Sequence, residues 1–433
     1  MGERTMTYCS RPLRIVVQGL LVLSGVFLLI WTSSALARRA PSEEALRYFD
    51  REFLKAATER ATRYYVTWAV QNAAVMLTAW ALVRSGFIVN ITENVLRRTG
   101  LAISSGTGGM LLGGILASLF WFTATSLVSL PFRYYCEQYL ERFYGLSRMT
   151  AAQWFADYGK SFLLTALVTA LSGGVLALMM ARSPRAWPYL AAAGVLALSL
   201  VISYIYPVVV APMFYRFRPL EDPGLLADIR DLGVKAAIEV SKVLVMEASQ
   251  KTTRPNAYFA GFGGTKQVVV YDTLLSGTSR GQAKLVLAHE MSHYKHSHVL
   301  KGVILSSAGA LVVFMLFNWA LRGGPRGVSA RALRETTPAT TTIAALVMLL
   351  LFSSLVEFVT APASNWVSRR FEMQADLDSL AWAGDVRAFV ESQIKLARGN
   401  LSDVEPPAFI RWFAWTHPTT LERIEMGIRG PAS

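Results

Sequence analysis

The chain has 433 residues, 53% of them hydrophobic and 17% charged, against about 25% charged residues in soluble domains. That deficit argues against an ordinary soluble enzyme, and an aromatic content of 11% excludes a disordered chain. The formal charge of +14 is the excess of 33 Arg and 10 Lys over 29 acidic residues, and the basic residues are spread without a run of five or six like charges, which points away from a nucleic-acid surface and towards Arg flanking membrane segments.

Seven apolar stretches approach the roughly 20 residues a helix needs to cross a bilayer: residues 15–37, 65–83, 101–130, 162–181, 187–212, 303–321 and 341–361. Each must be helical, because only a helix satisfies its own backbone groups in lipid. The first also has signal-like features, with Arg11 and Arg14 before it and Ala35-Leu36-Ala37 as a cleavage site. Its apolar run is longer than a signal core and Arg38-Arg39 follow at once, so an uncleaved span is expected. Residues 41–63 read as one amphipathic helix with Leu46, Phe49, Phe53 and Leu54 on its apolar face. Residues 219–301 form a polar insertion in which residues 242–247 and 267–271 carry the β-branched runs of two short strands. Residues 364–433 form a polar tail, and everything else reads as helix.

The expected fold is therefore an all-α membrane protein of about seven transmembrane helices. Residues 1–218 would form an N-terminal membrane domain with five spans. Residues 219–433 would form a mostly helical soluble part, with a few short strands, that also contains spans six and seven. With seven spans, the side that bears both polar tracts holds 31 Lys and Arg against 12 on the other, but long tracts hardly influence orientation. The short loops on that side carry 11 against the same 12, so charge leaves the orientation open.

The chemistry lies in His289-Glu290-Met291-Ser292-His293, followed by His296 and His298. Four of the five histidines of the chain fall within ten residues. Ser279 and Gln282 are spaced as a capping box, and the helix they open meets no breaker until well past His298. Four residues advance a helix by about one turn, so His289 and His293 can hold one zinc ion from a single face. Glu290, beside them, can take a proton from an attacking water. A structural zinc site would normally be closed by four ligands, commonly cysteines. Cys9 and Cys136 are far from the motif, which weighs against a transporter or scaffold with structural zinc.

A catalytic zinc site needs a third protein ligand. His296 and His298 are candidates, but His298 lies roughly 140° around the same helix from His293. Among the acids, Glu357 sits within an apolar stretch, and Glu372 shares a helical face with Asp376. One of these two carboxylates can bind zinc while the other orients a ligating imidazole. By themselves these residues would read as a salt-bridged helix.

Taken together, Arg142 to Thr150, Tyr206 to Phe214, Asn256-Ala-Tyr-Phe-Ala-Gly261, the motif from His289 to His298, Asn365 to Asp376, and His417-Pro-Thr-Thr-Leu-Glu-Arg423 carry a resemblance. Over nearly its full length the chain resembles the type I CAAX prenyl endopeptidases, integral-membrane zinc metallopeptidases with seven helices around a large chamber. The resemblance implies one zinc ion on His289, His293 and Glu372, with Glu290 as general base and Asp376 behind a ligand. It places Asn256 and Ala257 on an edge strand that pairs with the substrate backbone, and Asn365 in the substrate-binding part. It also implies that His417 and Arg423 stabilise the oxyanion. The expected partners are a peptide or protein substrate and the lipid bilayer, with no nucleic acid. The preference for Arg over Lys suggests a bacterial chain, hence an inner membrane with the active site towards the cytoplasm. Bacteria generally lack prenylated CAAX proteins, so quality control of membrane proteins is the alternative use of the same chemistry.

Overall fold

The computed structural model describes residues 11–37, 39–98, 106–240, 242–261, 267–322 and 338–430. Cys9 and residues 101–105 of the third apolar stretch lie outside them. Among the described residues, seven helices are long and apolar enough to cross a membrane. Besides the short helical turns Glu141–Phe143 and Asp272–Gly277, the α-helices in chain order are α1 (Arg11–Leu36), α2 (Glu43–Tyr48), α3 (Arg51–Ser85), α4 (Phe87–Arg98), α5 (Thr107–Tyr134), α6 (Ala151–Arg182), α7 (Trp187–Ile205), α8 (Pro223–Ala236), α9 (Arg280–Lys295), α10 (His298–Leu321), α11 (Pro338–Ala383), α12 (Val386–Asn400), α13 (Ala408–Ala414) and α14 (Thr420–Arg429). The membrane-length helices are α1, α3, α5, α6, α7, α10 and α11.

Lipid offers no hydrophobic drive for helix association, so membrane helices pack through small residues that let backbones approach. The α5–α6 pair does this through Gly114, Gly173 and Gly174. A Cβ on Gly173 would fall 1.9 Å from Ser118 Oγ. At the centre is α11, whose Ile343, Leu346, Val347, Met348, Leu349 and Leu351 are all buried in the main apolar core.

Four strands, β1 (Phe217–Pro219), β2 (Val243–Met246), β3 (Ala257–Ala260) and β4 (Gln267–Tyr271), form a sheet in the order β1-β2-β4-β3. The β2–β4 pairing is parallel and the others are antiparallel, with Ala257 opposite Val270. This leaves β3 at the edge. Val245, Val268 and Val270 of the sheet pack on Leu225, Ile229 and Leu232 of α8 and on Leu287, Ala288 and Met291 of α9. By helical periodicity, the face of α9 opposite these residues carries His289 and His293.

Four features differ from the sequence expectations. The single amphipathic helix over residues 41–63 is two helices, because Asp50 caps a new start: its Oδ1 accepts from the Phe53 N–H at 2.8 Å. The second of these, α3, runs on without a break into the membrane and stops at left-handed Gly86 (φ 67°). The seventh span does not end at residue 361, since α11 carries Pro362 within it and continues to Ala383. The helix of the His motif does break before His298: α9 ends at Lys295, and Ser297 turns the chain at φ 52°. Finally, β1 and β3 add to the two strands read from residue patterns, β3 beginning at Ala257, where the resemblance places an edge strand. Both are short and lack the β-branched runs of β2 and β4.

Candidate metal centre

The capping box forms as expected. The Ser279 N–H donates to Gln282 Oε1 at 3.0 Å, and the Gln282 N–H donates to Ser279 Oγ at 3.3 Å. From this fixed start, α9 presents His289 and His293 towards α11. His289 Nε2 and His293 Nε2 are 3.2 Å apart, and they lie 3.2 and 3.4 Å from the two oxygens of Glu372. His289, His293 and Glu372 form the one cluster among the described residues with three metal-ligating side chains converging.

Glu372 Oε2 is buried and has no hydrogen-bond partner among the described residues, although His289 Nε2 and His417 Nε2 are each 3.2 Å away. One ring nitrogen of His289, one of His293 and a carboxylate oxygen of Glu372 all lie within 4.8 Å of one another. A divalent cation would satisfy all of them, and two imidazoles with one carboxylate is a donor set of catalytic zinc. Glu357 on the same helix does not join the cluster.

Behind the ligands, the proton positions follow from the partners. His289 Nδ1 lies 2.8 Å from Asp376 Oδ1, so it carries the proton and leaves Nε2 as a bare lone pair. Asp376 is fully buried and holds Arg423 through both oxygens, with Arg423 Nε at 2.7 Å from Oδ2. On the other ligand, His293 Nδ1 lies 2.9 Å from His298 Nδ1, and His298 Nε2 lies 3.1 Å from Gln374 Oε1. Gln374 Oε1 can only accept, so His298 Nε2 carries its proton and His298 Nδ1 accepts from His293 Nδ1. His293 Nε2 is thereby left bare as well. The chain continues as Gln374 Nε2 donates to His296 Nδ1 at 3.2 Å, and His296 Nε2 reaches Asp378 at 2.7 Å. His298 also stacks on Phe371, ring centres 4.3 Å apart. Neither His298 nor Gln374 was singled out as a partner of the ligands by the sequence, because the turn at Ser297 that returns His298 to His293 has no Gly or Pro to mark it.

Burial lowers the basicity of both ligating imidazoles. The Asp376 carboxylate more than offsets this at His289, whereas burial holds His293 down at about 4. Burial pushes the Glu290 carboxyl up to about 7, where it can both accept and release a proton near neutrality. The Phe259 backbone in β3 hydrogen-bonds this carboxyl, which sets the edge strand beside it.

A cavity of about 680 Å³ opens over the cluster, lined by His289, Glu290, Asn256, His417 and Arg423. His417 is on its rim with 53% of its side chain exposed. Asn256 precedes β3, where its carbonyl accepts from the Tyr271 N–H at 3.0 Å and its Oδ1 accepts from the Ala257 N–H at 2.9 Å. Ala257 buries its methyl in the core under the sheet. Asn365 is not brought to this cavity. Its Nδ2 donates to the Phe413 carbonyl at 2.7 Å and ties α11 to α13.

Two family models match the chain: peptidase family M48 over residues 219–426, and the CAAX prenyl protease N-terminal region of five membrane helices over residues 18–216. An uncharacterized metalloprotease of Bacillus subtilis, YhfN, is 31% identical over 305 residues, covering 70% of each chain. CAAX prenyl protease 1 of Saccharomyces cerevisiae is 29% identical over 328 residues, 72% of this chain and 70% of its own. The crystal structure of S. mikatae Ste24p superposes with a TM-score of 0.76 over 96% of this chain and 99% of that one, at 21% identity, a likeness of fold.

Proposed function

Because the chain belongs to peptidase family M48, we propose that His289, His293 and Glu372 hold the zinc ion of this membrane-embedded metallo-endopeptidase. The observation that carries the assignment is the convergence of two bare Nε2 atoms and an orphaned carboxylate oxygen at one buried point. Zinc bound there supplies a Lewis acid that polarises the scissile carbonyl and makes water more acidic.

The chain's own groups perform the remaining work. Glu290 takes a proton from the attacking water and passes one to the leaving amine. Asp376 keeps the His289 proton on Nδ1, and Arg423 fixes Asp376 in turn. The exposed His417 Nε2, 3.2 Å from Glu372, donates to the developing oxyanion. Arg423 commits Nε and Nη2 to Asp376 and adds its charge and its Nη1. The substrate lies extended beside β3 with Asn256 and Ala257, so backbone pairing supplies affinity and side-chain preference is loose.

The reaction we assign is CAAX-type C-terminal processing of a peptide at the membrane. Support comes from relatives named CAAX prenyl protease. The bacterial relative supports placing the protein in a bacterial inner membrane, and a site on the cytoplasmic face is the orientation we assign. The test gives the purified protein three substrates in parallel: a prenylated CAAX peptide, its unprenylated form and an unfolded membrane protein. Zinc-dependent cleavage near the peptide C-termini supports the reading. Cleavage of the unfolded protein alone would instead make this a quality-control protease.

A further inference from the structure

The wall of the active-site cavity carries a positive charge that the metal chemistry does not use. Glu141 is bound by two guanidiniums at once, Arg60 from α3 on one oxygen and Arg254 on the other. All three side chains are largely or mostly buried. Arg60 Nε and Arg254 Nε are buried with no hydrogen-bond partner among the described residues. Both arginines line the 680 Å³ cavity beside Glu290, and both also line an adjoining cavity of about 580 Å³.

The excess charge is local. Of the other carboxylates along these walls, Asp403 is paired with Arg39, Glu137 with Arg133, and Asp376 with Arg423, and Glu290 is the base of the metal centre. Lys251, in turn, is paired with Asp157. One carboxylate shared by two buried guanidiniums leaves one net positive charge at the cavity wall, an arrangement that is costly unless a further anion joins it. A fold that needed only to tie α3 to the loop before β3 could do so with one Arg.

The position of the pair specifies the anion. Arg254 stands two residues before Asn256 and three before Ala257, the first residue of edge strand β3. At the other end of β3, Ala260 and Gly261 border a separate cavity of about 640 Å³ with apolar walls that include Ile202, Ile238 and Val299. A peptide lying along β3 therefore has a cationic seat at one end and an apolar one at the other. We propose that Arg60 and Arg254 seat the C-terminal carboxylate of the peptide cleaved at this site. A carboxylate seated there sets the peptide antiparallel to β3 and directs the enzyme to bonds a few residues from a free C-terminus. This assignment rests on the peptidase reading of the metal centre.

The test uses the full-length protein and an unprenylated CAAX decapeptide made both as the free acid and as the C-terminal amide. The ratio of kcat/KM for acid over amide should be about tenfold or more, as for a charge-assisted, desolvated contact. It should shrink as residues are added beyond the scissile bond. Arg60→Gln and Arg254→Gln should each bring the ratio towards one, and Arg254→Lys should restore part of it. Glu141→Gln should move the ratio upward, a direction that a misfolded variant would not produce. A ratio near one in the unaltered protein, or a preference unmoved by both Arg variants, would overturn the proposal. Acid and amide binding to Glu290→Gln protein reads the same preference without turnover. Acid-selective binding with no cleavage by the unaltered protein would refute the peptidase reading alone, and cleavage without acid selectivity would refute the carboxylate seat alone.

Discussion

His289 Nδ1 and Asp376 Oδ1 lie 2.8 Å apart, joining the first residue of the His-Glu-x-x-His motif to a fully buried carboxylate 87 residues later. The contact leaves His289 Nε2 free for a metal and raises the imidazole's donor strength. Asp376→Asn keeps the shape but loses the charge that the Arg423 pair balances. Zinc affinity should fall about 10- to 100-fold, read by competition with a chelator, and wild-type affinity would show that the contact does not support the ligand.

His298 should act on the second ligand in the same way. In His298→Ala, His293 loses the acceptor for its Nδ1 proton and the ring that rests on Phe371, and its tautomer is no longer set. Zinc binding should weaken by about tenfold or more. Substituting His296 instead, two contacts further along the chain, should weaken binding less. Equal losses in both variants would contradict this order.

Glu372 and Glu357 share helix α11, yet only Glu372 meets the two imidazoles. Glu372→Ala should lower zinc content sharply, and Glu357→Ala should leave it unchanged, measured by metal analysis of the purified proteins. Full zinc occupancy in Glu372→Ala would reject the ligand assignment.

The buried Glu290 carboxyl, raised to about 7, must be ionised to accept a proton. Its active form is therefore present above its pKa and lost as pH falls through it. A cation beside it can only lower that value, so the acid limb of kcat/KM should lie at or below about pH 7. An acid limb well above pH 7 would assign the base to another group.

Much of this site was legible from local patterns. The two ligands four residues apart, and Glu372 and Asp376 four apart on another helix, follow from the helical period. The seven spans follow from apolar length. What escaped was set by tertiary structure. Pro362 marked no end to α11, because a membrane helix packed among neighbours can absorb a proline. Ser297 adopts a left-handed turn that its residue type does not announce. β3 has no strand-forming pattern of its own and is expected only through the resemblance, and it is a strand because Val268 and Val270 offer it a partner. The Arg60–Glu141–Arg254 group joins residues separated by 81 and 113 positions, a distance over which no sequence period operates.

The central claim, that this helix pair is a hydrolytic centre, rests on Glu290 accepting the water's proton without binding the metal. Glu290→Gln preserves size and hydrogen-bonding shape but cannot accept that proton. The decisive measurement is zinc content and peptide cleavage on one preparation of this variant. Zinc should remain at one ion per chain while cleavage falls by about 100- to 10,000-fold. Cleavage at the unaltered rate with zinc in place would contradict the account.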